Sequence, residues 1–63
     1  MEDYQKRVCE EEIELSKKID KLQVFIDNLP CSCSRHEHFL LLVQVWAMFQ
    51  YRDILLERIE SFK

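Results

Sequence analysis

Along the first half of the chain, apolar residues recur at spacings of three, four and seven: Tyr4, Val8, Leu15, Ile19, Leu22, Ile26 and Leu29. This is the period of one helix face, not the alternation of a strand. It predicts a first helix over about residues 3–28 with a coiled-coil-like seam, interrupted between Val8 and Leu15. Glu11 and Glu12 are the candidates for that gap, where a carboxylate should lie at the seam's edge with its stem covering apolar surface. Pro30 ends the helix, because its ring removes an amide donor and pushes the preceding residue out of helical geometry. Ser34 with Glu37 three residues later is a capping box that starts a second helix at Ser34 or Arg35, running to about residue 62. A turn of about residues 29–33 leaves two helices, each about 40 Å long, no arrangement but antiparallel neighbours. The predicted fold is all-α, a single helical hairpin domain over residues 1–63.

The second helix carries two patterns at once. Leu41, Met48, Leu55 and Phe62 recur every seven residues, Val45 and Ile59 fill the alternate step, and Arg52 breaks it; this stripe should face the first helix. Leu40, Val43, Trp46, Phe49, Ile54 and Leu56 lie off the stripe. From Phe39 to Phe49 only Gln44 interrupts a run of apolar residues, so the belt encircles the helix and one partner cannot cover it. The hairpin is therefore predicted to assemble into a helical homo-oligomer, with Trp46, Phe49, Leu40 and Val43 at the subunit interface. Trp46 and Phe49 are the expected anchors, each contributing about 2–3 kcal/mol on burial.

Composition sharpens this picture. A chain of 63 residues is marginally stable alone, which also favours assembly. The absence of glycine, one proline and 33% charged residues suit long helices with one break, and 48% apolar content excludes a disordered chain. The belt is shorter than the roughly 20 apolar residues that span a bilayer, so no membrane insertion is expected. The opening Met1-Glu2-Asp3 does not resemble a secretion signal, and the chain is expected in the cytosol with Cys9, Cys31 and Cys33 as free thiols. A net charge of −3 argues against DNA or RNA polymers as partners, while leaving small anions open.

Cys31, Cys33, His36 and His38 are zinc-ligand types, but Cys-x-Cys and His-x-His turn neighbours to diverging sides, unlike the usual spacings. No metal site is predicted; the cluster reads as a polar turn, with a zinc-stabilised hairpin kept as a third reading. No glycine-rich phosphate loop is possible, and no nucleophile stands beside a base, so neither an enzyme nor a cofactor is expected. What remains is the segment Tyr4-Gln5-Lys6-Arg7-Val8 near the start of the first helix, and the lysine-bearing segment Leu15 to Leu22 further along. A tyrosine can stack on a base and a lysine can neutralise a phosphate. Fourteen residues put Tyr4 and Lys18 about 21 Å apart along one helix, so a shared ligand must lie where two protomers present opposite ends. Tyr4 as a packing residue, and Lys17, Lys18 and Lys21 as a solvated face near Glu14 and Asp20, stay open.

The ordered set Tyr4-Gln5-x-Arg7-Val8, Glu11, Glu14-Leu15, Lys18-Ile19-x-Lys21-Leu22 and Phe25-Ile26, followed by Gln44, Met48, Tyr51, Leu55, Glu57-Arg58-Ile59 and Phe62, resembles the hairpin domain shared by the phage anti-CBASS sponge and the Thoeris anti-defence sponge. The resemblance implies a non-enzymatic oligomer, commonly a hexamer, that works in the host cytoplasm and sequesters cyclic nucleotide signals, cyclic dinucleotides or cyclic ADP-ribose variants, between protomers. It implies that Tyr4 stacks on a base and Lys18 holds phosphate, with Arg7 and Lys21 flanking. Basic residues often precede the second-helix glutamine in those proteins; Leu42 and Val43 stand there in this chain, and no second site for cyclic trinucleotides is implied. The reading from another functional class is a small helical protein–protein interaction module docking through the Leu40 to Phe49 surface.

Overall fold

The first helix, α1, starts where Gln5 turns its side chain back on the chain, its Oε1 accepting the Glu2 N–H at 2.9 Å. Asp3 adds negative charge to the first turn, where the helix dipole favours it. In the computed structural model, which describes residues 2–63, α1 runs Asp3–Asp27 and α2 runs Arg35–Glu60. Met1, counted in the predicted domain, lies outside the described residues. Asn28 closes α1 by donating from Nδ2 to the Val24 carbonyl at 2.7 Å, one residue earlier than the periodicity alone suggests. Across the turn the Cys33 N–H donates to the Pro30 carbonyl at 3.0 Å. Ser34 caps α2, its Oγ accepting the Glu37 N–H at 3.1 Å, which is the serine half of the predicted capping box.

The seam of α1 is more regular than its apolar residues suggest. Gln5, Val8, Glu12, Leu15, Ile19, Leu22, Ile26 and Leu29 are all buried or half-buried, in steps alternating between three and four. Glu12 thus fills the gap, and Glu11 stays exposed. The Glu12 carboxylate accepts the Ser16 hydroxyl at 2.9 Å, which satisfies it partly within its own helix. Tyr4 stands beside the seam, 56% exposed, with Gln5 taking the seam position. In α2 the buried and half-buried stripe is Leu41, Val45, Met48, Leu55, Ile59 and Phe62, as predicted, and Arg52, expected to break it, fills the remaining step. Ile19 and Leu55 are fully enclosed and form the centre of a core completed by Val8, Leu15 and Val45.

Arg52 occupies a seam step that every neighbour fills with an apolar group. Its guanidinium carbon lies 5.1 Å from the centre of the Phe49 ring, a favourable cation–π placement. Its Nε is nevertheless buried without a hydrogen-bond partner, a desolvation cost with no local return. Arg52→Met keeps the stem and removes the orphaned donor, so the hairpin is expected to become about 1 kcal/mol more stable. Chemical denaturation at a fixed protomer concentration checks this; a loss of stability would mean that Arg52 has an acceptor in solution.

The result is a thin rod. Its extents are 48 × 15 × 13 Å and its radius of gyration 14.8 Å, against about 11 Å for a compact domain of this length. Its accessible surface is 5146 Å², against about 4,300 Å² for a folded monomer of its mass. The excess of about 800 Å² is the area one partner typically contributes to a stable protein interface.

Candidate functional site

Tyr4 packs the edge of its ring against Phe62, with centroids 5.7 Å apart and planes at 87°. Gln23 and Ile26 share a groove with Leu42 and Val45. Together these pairs set the antiparallel register, in which facing positions have numbers summing to about 67. The register and the seven-residue repeat divide the rod into two flanks. One flank carries Tyr4, Glu11, Lys18 and Phe25 from α1, with Arg7, Glu14 and Lys21 one step outward. Across the seam it carries Gln44, Tyr51 and Arg58 from α2. The other flank carries Cys9, Ser16 and Gln23 opposite Leu42, Phe49 and Leu56.

Tyr4, Arg7, Lys18 and Lys21 therefore share one strip of α1, and all four are exposed. The single protomer does not bring them together, because two heptads separate Tyr4 from Lys18. The only ion pair among the described residues is Lys63 with Glu60, at 3.2 Å on the surface. Lys17, Lys18 and Lys21 are solvated, but the carboxylates of Glu14 and Asp20 do not hold them. Lys18 and Lys21 thus remain available to an outside anion without breaking a pair. Tyr4 combines both of its readings, since its ring edge packs while over half of the side chain meets solvent.

Two shallow grooves open on the rod. One of about 330 Å³ is lined by Gln23, Ile26, Asp27, Leu42 and Val45. The other, about 310 Å³ at the turn, includes Asp27, Cys31, Cys33, Arg35 and His38. Neither touches Tyr4, Arg7, Lys18 or Lys21. Cys31 is exposed and Cys9 and Cys33 are partly covered, all three as free thiols. His36 lies outside the turn groove, and no three metal-binding side chains gather among the described residues.

The predicted interface residues Leu40, Val43 and Trp46 are 45%, 44% and 63% exposed. Phe49 differs from the off-seam expectation: it is half-buried, packs on the hairpin's own core and lies under Arg52. The apolar surface also extends further than the belt on α2. Val24 and Phe25 of α1 are exposed beside it, so the grease forms a collar around the turn-proximal end of both helices. Their signal in the sequence is the apolar run Val24 to Ile26, in which Val24 and Phe25 fall off the seam. By length and composition alone α2 also suffices to cross a membrane, although the belt itself, eleven residues, rises only about 16 Å before polar positions return.

The sequence of both helices is matched by the model of a known family. The Sequestin profile aligns with residues 2–61. The chain belongs to the Sequestin family. The matched region takes in both helices, so it includes the strip from Tyr4 to Lys21 and the collar around Trp46. No curated protein and no solved structure matches the chain.

Proposed function

We propose that this Sequestin family member is a non-enzymatic phage sponge that binds a cyclic nucleotide immune signal between protomers and so antagonises host anti-phage defence. The observation that carries the proposal is the strip holding Tyr4 and Lys18 two heptads apart, both exposed and free of ion pairs, on a rod whose apolar collar is uncovered. Two protomers laid antiparallel about Glu11 bring Tyr4 of one level with Lys18 of the other. Arg7 and Lys21 then add two further cations around each tyrosine. Such a cluster repels itself and gains most from a ligand with an aromatic base and negative phosphates, which a cyclic dinucleotide supplies in duplicate. Tight binding without turnover is the mechanism, effective when the protein outnumbers the signal and binds it more tightly than the host effector does.

The same geometry gives the collar its own task. With the two-fold axis at Glu11, the collars lie about 18 Å from that axis on opposite sides, too far apart to cover one another. Further copies must cover them, which is consistent with a closed assembly of several subunits rather than a simple dimer. In this reading protein, not lipid, covers α2, because Gln50, Arg52 and Asp53 return polarity to the helix within four residues of the belt's end.

Heating a complex to denature the protein is the direct test. The signal should be recovered in stoichiometric amount and chemically unchanged, as read by mass spectrometry. A cleaved nucleotide in the supernatant would replace sequestration with catalysis, and a monomer that dissolves only with a protein partner would favour the interaction module.

A further inference from the structure

On the flank that carries Lys18, the register sets Tyr51 of α2 directly across the seam, within about 3 Å of it along the axis. Tyr51 lies off the buried stripe and is 44% exposed. It makes no ring contact of the kind that holds Tyr4 against Phe62, and its hydroxyl enters none of the side-chain hydrogen bonds among the described residues. Its packing therefore does not explain an aromatic at this site. Further along the same flank the register sets Arg58 opposite Glu11, though the two do not form an ion pair.

Resting on the sponge reading, we propose that Tyr51 is a second base-stacking residue of the ligand site. In the antiparallel pair, Tyr4 of one protomer arrives at the level of Lys18 of the other, so Tyr51 completes a site with one aromatic from each protomer and the ammonium beside them. Two aromatic faces separated by one base suit a purine, whose ring system fills both faces better than a pyrimidine. A ligand with two purines joined through phosphates occupies this arrangement best. Arg58, opposite Glu11, compensates the carboxylates that meet at the two-fold axis, and it takes no part in stacking.

Calorimetric titration with 3′,3′-cyclic di-AMP, cyclic di-GMP, cyclic GMP-AMP and the dipyrimidine cyclic di-UMP tests the assignment on the full chain. Tyr51→Leu should weaken binding of the purine ligands about tenfold or more, Tyr51→Phe should stay within about twofold of the parent, and both variants should keep the parent's helix content and sedimentation. Cyclic di-UMP should bind the parent more weakly than any purine ligand. Parent-like affinity in Tyr51→Leu, or an equal loss in Tyr51→Phe, would refute the stacking role while leaving the sponge reading intact. If the parent binds none of the four, the dinucleotide reading fails, and the role of Tyr51 fails with it.

Discussion

Leu55→Ala is expected to unfold most of the protein at ordinary temperature. Leu55 and Ile19 are the two fully enclosed side chains of a five-residue core, and truncating such a leucine costs about 2–5 kcal/mol. A folded chain of this length has only about 3–9 kcal/mol in hand. No second layer can collapse into the cavity, because the rod is one helix pair thick. The melting temperature should fall by at least about 10 °C in a circular dichroism melt at fixed protomer concentration. Glu57→Ala, on the exposed side of the same helix, should change it little. A Leu55→Ala chain that melts like the parent would mean that the interface between copies, and not the hairpin seam, holds the fold together.

Loss of capture is the second large effect. Tyr4→Ala and Lys18→Ala should each abolish binding of the cyclic nucleotide while leaving assembly intact, because neither side chain belongs to the buried core or the collar. Removing one stacked base contact costs about 1–3 kcal/mol, and the loss of phosphate neutralisation adds to it. In the proposed assembly the two residues reach one ligand only through two protomers, which gives a sharper outcome. Mixing equal amounts of Tyr4→Ala and Lys18→Ala subunits should restore about a quarter of the capture, since about half of randomly formed pairs are mixed and each mixed pair regains one intact pocket and carries one doubly defective pocket. A site within a single protomer would not be rescued by mixing. Trp46→Ala should do the opposite of both variants, weakening assembly in sedimentation while the side chains of the strip remain in place.

Much of the fold was legible in the residue pattern because a two-helix hairpin is a local object. Pro30 and the Ser34 cap lie close together, and a seven-residue repeat on either side of them leaves one way to pair the helices. The misreadings all came from polar groups in the seam and aromatics beside it. Periodicity marks Arg52 as an interruption, whereas its long stem and the Phe49 ring let it occupy the step. Tyr4 satisfied the apolar spacing, but Gln5 holds the seam, because a residue one position away differs by 100° around the helix. Phe49 read as surface and packs on the core for the same reason.

The candidate site was less legible. Tyr4, Arg7, Lys18 and Lys21 stood out by residue type and by resemblance, and their heptad spacing puts them on one strip of α1, but which α2 residues stand across from that strip follows only from the helix register. The place of Tyr51 on that flank depends on how the second helix is rotated against the first. Over residues 39–49 nearly every face is apolar, so it is the seven-residue repeat continuing through Leu55 and Phe62 that fixes this rotation.

The sequence by itself determined the two helices, their turn and the stripe of α2 that meets α1, because helical period and capping act over a few residues. Only the tertiary structure decided which of the remaining side chains are spent on the seam and which stay outside. That choice requires the second helix in place, since a side chain's burial is a property of what lies opposite it.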